Sequence, residues 1–124
     1  MFVINSDKSI HLTRGDIAVI QVGAVNGEID YTFKEGDLIR LRVFEKKQCN
    51  CVVLQKDVEA EEGAQTVDIS LTKEDTKIGN IINKPVDYWY EIELNPDTMP
   101  QTLIGYDNSG AKIFRLFPEG DDLK

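Results

Sequence analysis

One histidine and two cysteines are all that the 124 residues hold of the imidazole and thiol side chains used in nucleophilic catalysis and zinc capture, and there is a single tryptophan. With His11 alone, arrangements that set an imidazole base beside a Ser or Cys nucleophile have little to draw on. Cys49 and Cys51 are too few for a four-ligand zinc site and too close in sequence for an easy loop-closing disulfide. They are expected to be reduced thiols at a hairpin tip. Neither G-x-G-x-x-G nor G-x-x-x-x-G-K-[ST] occurs, so no phosphate cradle and no cofactor are implied. No stretch approaches the ~20 apolar residues of a membrane helix. The amino terminus, MFVINSDKSI, has no basic segment followed by an apolar run of signal-peptide length. Synthesis in the cytoplasm, with no membrane partner, is the expectation.

Positive charge is also scarce. Lys and Arg number 14 against 22 Asp and Glu, for a formal net charge of -8 and a pI near 4.6. The summed field repels phosphate backbones, which argues against nucleic acid as a partner. The acidic excess gathers in DVEAEEG, residues 57 to 63, and PEGDD, residues 118 to 122. Both read as solvated loop or tail, with 118–124 a flexible end to a single domain spanning 1–124. The spaced D-x-D-x-D-G ligands of a calcium loop are absent.

What the chain has is alternation. In GDIAVIQV, Ala18, Ile20 and Val22 share one face. In GDLIRLRVF, residues 36 to 44, Ile39, Leu41 and Val43 point inward while Arg40 and Arg42 face water, the pattern of a strand packed on one side. CVVLQKDV follows as its hairpin partner. TVDISL alternates Val67, Ile69 and Leu71 against Asp68 and Ser70. In DYWYEIEL, Tyr88, Tyr90, Ile92 and Leu94 lie on one face, and Trp89, Glu91 and Glu93 on the other. QTLIGYD, the DNSG turn and AKIFRLF read as a final hairpin, and a first strand lies within FVI or SIHL.

Between TVDISL and the Tyr-rich strand, LTKEDTKIGN places Thr72 three residues before Asp75, an N-cap signature for a brief helical turn ended by Gly79. The composite expectation is an all-β, Ig-like antiparallel β-sandwich of about seven to eight strands with one short helical crossover; a barrel is the alternative.

Two features ask for a functional reading. Trp89, outward and flanked by glutamates, is suited to stacking on a sugar or anchoring a protein partner. Glu91 and Glu93 share its face, a spacing that any solvent-facing strand also gives, so catalysis is not assigned to them. Arg14-Gly15-Asp16 matches the integrin tripeptide, but average usage produces it by chance in roughly one chain in fifty of this length. Gly15 permits a tight turn and Asp16 can bond neighbouring backbone, so the tripeptide reads as a strand-initiating turn, repeated at Gly36-Asp37. Nothing in that turn requires Arg14. The candidate interface residues are therefore Trp89 and Arg14, with no catalytic, cofactor or metal residues.

The ordered motifs I-H-L-T-R-G-D, G-D-L-I-R-L-R-V, L-T-K-E-D-T and Y-W-Y-E-I-E-L give the chain a resemblance along essentially its whole length. It resembles the N-terminal Ig-like domain of phage baseplate upper proteins, and related small tail proteins of phages and prophages of Gram-positive bacteria. In that group the strand commonly opens T-R-G-D-T, so Thr13 to Asp16 match and Ile17 departs. The resemblance implies a non-enzymatic virion structural component that assembles with copies of itself and with other tail or baseplate proteins. Baseplate upper proteins usually continue into a helical linker and a receptor-binding-protein carrier, and this chain stops at Lys124. A docking domain or a separate small tail protein is expected, and a carbohydrate-binding or adhesion module is the alternative.

Overall fold

In a computed structural model of the chain, the described residues are 2–4, 8–26, 29–45, 52–78, 84–98, 100–105 and 112–118. Cys49, Cys51, Gly79, the DNSG turn and residues 119–124 of the acidic tail lie outside them. Among the described residues the chain is all-β, in eleven strand segments. These are β1 (Phe2–Ile4), β2 (Ile10–Thr13), β3 (Ala18–Gly23), β4 (Val25–Asn26), β5 (Ile29–Asp30), β6 (Leu38–Phe44), β7 (Val52–Glu59), β8 (Thr66–Leu71), β9 (Val86–Leu94), β10 (Gln101–Ile104) and β11 (Lys112–Phe117). Eight of them run four residues or longer.

The large sheet has the order β1-β2-β11-β9-β6-β7, with β10 also paired to β9. A two-stranded layer, β3-β8, lies across it, and β4-β5 is a small separate hairpin. Alternation explains why two layers form. Ala18, Ile20 and Val22 of β3 and Val67, Ile69 and Leu71 of β8 are all buried, as are Ile39, Leu41 and Val43 of β6 and Tyr88, Tyr90, Ile92 and Leu94 of β9. With Ile10, Leu12, Phe114 and Leu116 they form one continuous core. A side-chain period of two turns one face of each strand onto that core, and a one-residue slip would reverse every strand.

The pairings depart from the sequence reading in three places. First, β2 runs parallel to β11, with Ile10 opposite Phe114 and Leu12 opposite Leu116, so the sheet is mixed and not purely antiparallel. Second, β10 and β11 do not form a hairpin with each other. Both pair with the same edge of β9, β10 along Ile92–Leu94 and β11 along Val86–Tyr90, so they follow one another as a single interrupted strand. Third, the short helical crossover does not form. The Thr72–Asp75 signature is real: Thr72 N donates to Asp75 Oδ2 at 2.9 Å and Asp75 N to Thr72 Oγ1 at 3.2 Å. Two further bonds, Thr76 N to Thr72 O and Lys77 N to Glu74 O, both at 3.2 Å, close overlapping turns, and among the described residues they do not extend into a helix. A cap satisfies orphan donors but does not repay the cost of nucleation, which needs propagation. Here Thr76 and Ile78 are both buried and bind the segment to the core instead.

The acidic run 57–63 is also less loop-like than its composition suggests, because β7 extends through Asp57 and Glu59. Turns of one kind recur. Asp16 N bonds Thr13 O, Asp37 N bonds Lys34 O and Ala64 N bonds Glu61 O. In each the third residue is a glycine, Gly15, Gly36 or Gly63, with φ of 88°, 87° and 86°, while the residue before it keeps negative φ. These are type II turns. The shared Gly-Asp of the first two is thus one turn geometry used twice.

Candidate interaction surfaces

The outer face of the large sheet is organised in cross-strand rows. Arg40 lies opposite Asp57 on β7 and reaches both Asp57 and Asp97 with paired bonds of 2.8 to 3.1 Å. Those two carboxylates push the guanidinium pKa up. In the next row Arg42 lies opposite Glu91 and bonds it at 3.0 Å, with a second, short contact to Glu93. Burial, then the neighbouring Glu93, raises the Glu91 carboxyl. The two glutamates therefore share one arginine, and the two arginines expected to face water are only 16% and 26% exposed at their side chains. A third row joins Asp87 to Arg115 at 2.6 Å, which holds the Asp87 carboxyl below its ordinary range. His11 lies beside Arg115 across β2, its ring 5.6 Å from that of Phe117.

Trp89 occupies the row between these charges. It is half-buried, with Phe44 opposite on β6 and Ile113 opposite on β11. Val52, 39% exposed, continues the row beyond Phe44. The result is an apolar stripe four strands wide between two charged rows. Tyr88 and Tyr90 point the other way, into the core.

Arg14 sits elsewhere and does not join this stripe. It is 8% exposed, its backbone N–H donates to Phe117 O at 2.9 Å, and its charge lies near the Tyr88 hydroxyl. Burial and the Glu45 charge raise Tyr88, and Arg14 opposes them. The turn carrying Arg14 is clamped from across the molecule: Gly15 N donates to Thr76 Oγ1 at 3.1 Å, and Thr76 Oγ1 donates to Asp16 O at 2.8 Å. Arg-Gly-Asp is thus a pinned turn whose arginine is turned inward, not a displayed loop.

A buried polar knot, with no counterpart in the sequence reading, forms at the second Gly-Asp turn. Asp37, 7% exposed, accepts from Tyr31 Oη at 2.9 Å, Lys34 N at 2.9 Å and Asn95 Nδ2 at 3.0 Å. Asn95 Oδ1 in turn accepts from Leu38 N at 2.9 Å. Burial would raise the Asp37 carboxyl, but the bonds from Asn95, Lys34 and Tyr31 outweigh it and hold the pKa below the usual value. The same knot raises Tyr31, chiefly through its bond to Asp37. Its chemistry is anchoring: it ties the start of β6 to the end of β9. The only signal for it in the sequence is Asp37 itself, a carboxylate directly before an apolar strand.

Two further surfaces were missed in the sequence. On the outer side of the two-stranded layer, Ile17 is 75% and Val19 51% exposed. Between β7 and β8 a cleft of about 310 Å³ is lined by Val58, Glu59, Glu61, Ala64, Thr66, Val67 and Asp68. The alternation of Asp57, Glu59 and Glu61 was the available signal for strand-borne acids, hidden inside a run that reads as solvated loop. Comparison with known proteins finds no family model, no curated protein and no solved structure that matches the chain.

Proposed function

We propose that the chain is a non-enzymatic structural protein of a phage or prophage tail or baseplate, acting through protein–protein assembly within the virion. The observation that carries the reading is the incomplete second layer. A sheet of seven strands is faced by two, and among the described residues β3 and β8 pair only with each other. Ile17, just before β3, and Val19 within it are exposed beside the edge of β3 that is unpaired among the described residues. Edge strands with exposed apolar side chains are templates for another chain unless they are blunted by charge, proline or a bulge, and the outward residues Ile17, Val19 and Gln21 are none of these. The ordered Thr13–Asp16, Gly36–Val43 and Tyr88–Leu94 motifs add the tail-protein resemblance.

The domain type we propose is Ig-like. The order β11-β9-β6-β7 opposite β3-β8 follows the G-F-C-C′ and B-E order of a variable-type sandwich, and among the described residues the second layer holds only those two strands. Sedimentation velocity tests the assembly reading. The wild-type chain is expected to self-associate with rising concentration, and the Ile17→Asp/Val19→Asp variant to remain monomeric. A strictly monomeric wild type that is also absent from purified particles contradicts it.

A further inference from the structure

The cleft between β7 and β8 has features that a solvated acidic loop does not require. Both of its walls are strand edges: among the described residues β7 pairs only with β6, and β8 only with β3. Its floor is apolar, with Val67 6% exposed and Val58 half-buried and pointing inward. Its ends are fixed. At one end the 61–64 turn is pinned by Gly63 N to Phe33 O at 2.9 Å and Phe33 N to Ala64 O at 2.8 Å, and Ala60 N bonds Asp37 O at 2.9 Å. At the other, Lys56 reaches across from β7 to Asp75 at 2.8 Å. Its rim is acidic: Glu59, Glu61 and Asp68 are exposed, and among the described residues none of the three has an ion-pair partner.

We infer that this cleft receives a short extended segment of a partner protein, basic and apolar at alternate positions, which adds as a strand to the free edge of β8. Each feature selects part of that occupant. An unpaired edge takes backbone hydrogen bonds from an extended chain, and pockets beneath it take alternate side chains. The apolar floor at Val58 and Val67 accepts one face of such a strand, while Glu59, Glu61 and Asp68 meet lysine or arginine on the other. A second copy of this chain is disfavoured as the occupant, because the apolar edge it offers at residues 17–22 carries no lysine or arginine to meet Glu59, Glu61 and Asp68. The site is the one a further strand would take beside the E strand of an Ig-type sheet, so the inference rests on the proposed domain type for its geometry. It does not rest on residence in a virion.

The test uses an acetylated, fluorescently labelled hexapeptide alternating lysine and valine, titrated with the full chain and read by anisotropy. Saturable binding is expected, weakening as salt rises. Glu59→Gln/Asp68→Asn is expected to weaken it about tenfold or more, while the charge-matched Glu45→Gln/Glu74→Gln variant, at sites outside the cleft, leaves it unchanged. Circular dichroism of both variants establishes that they fold. Methylating the peptide nitrogens along one edge should abolish binding and methylating the other edge should spare it, because strand addition uses one edge only. Absence of saturable binding overturns the proposal. So does equal weakening by the two variants, or binding indifferent to methylation on either edge, since both are the behaviour of diffuse charge attraction. A chain absent from virions that still binds the peptide refutes the virion reading and leaves this one standing.

Discussion

Replacing Asp37 with alanine strikes the knot that joins β6 to β9. The carboxylate is 7% exposed and accepts three hydrogen bonds, from Tyr31, Lys34 N and Asn95. Hydrogen bonds to a charged group contribute about 1.5–3 kcal/mol each, but they are not additive, and Tyr31 and Asn95, both half-buried, can turn part of their bonding to water. The Lys34 N–H cannot turn away from its backbone. The expected cost of Asp37→Ala is therefore about 3 kcal/mol at neutral pH, or a fall in Tm of about 10–15 °C for a domain of this size. Asp37→Asn keeps one acceptor oxygen and presents an amide to donors, and should cost about 1–2 kcal/mol. The sign with pH follows from the depressed carboxyl. Its stabilisation is complete above the unfolded value, about pH 4, and is lost as pH falls through the folded value. Urea unfolding from neutral to acid pH should therefore show the gap between wild type and Asp37→Asn closing below about pH 4. Equal stability of Asp37→Ala and wild type at neutral pH, or a gap that persists unchanged in acid, would refute the reasoning.

Three further outcomes follow from the turns and the outer face. Gly36→Ala and Gly63→Ala, at φ of 87° and 86° with nothing near the added methyl, should each cost about 1 kcal/mol by urea unfolding, a purely conformational penalty; a neutral result at either would remove that turn from the type II assignment. Thr76→Val deletes the hydroxyl that clamps Gly15 and Asp16 and should cost about 1–2 kcal/mol, with Thr76→Ser recovering most of it in the same assay. Glu91 is the opposite case to Asp37: its raised carboxyl contributes stability below the unfolded value and loses it as pH rises through the folded one. Glu91→Gln should thus be neutral or stabilising by about 0.5 kcal/mol at neutral pH, with the difference vanishing in acid, and a loss above about 1 kcal/mol would show that the bond to Arg42 outweighs the repulsion from Glu93.

Features with a local cause could be read from the sequence. The inward sets Ala18-Ile20-Val22 and Ile39-Leu41-Val43 are legible because side-chain period and burial coincide, and the Gly15 and Gly36 turns because only glycine takes that φ cheaply. Features decided by distant partners could not. Ile10 meets Phe114 across most of the chain, and no local pattern announces a parallel pairing of that separation. Turn chemistry at DNSG reports a change of path but not which edge the next strand will choose, and the free edge of β9 took both β10 and β11. The Thr72–Asp75 cap was correctly seen, yet a cap reports only the first turn and carries no information about propagation. At the candidate surfaces, the outward aim of Trp89 was legible. Its neighbours Phe44 and Ile113 needed the register. Arg14 was singled out as an interface candidate because its turn does not require it, whereas the structure folds that turn against the Tyr88 end of the core and leaves Arg14 8% exposed.

The central claim is assembly within a phage or prophage particle, and quantitative mass spectrometry of gradient-purified particles from a producing strain, with immunogold labelling of the same fraction, addresses it most directly. The account predicts the chain in fixed stoichiometry to the major tail proteins and label confined to the tail or its tip. Recovery of the chain only in the soluble fraction, with unlabelled intact particles, would contradict it.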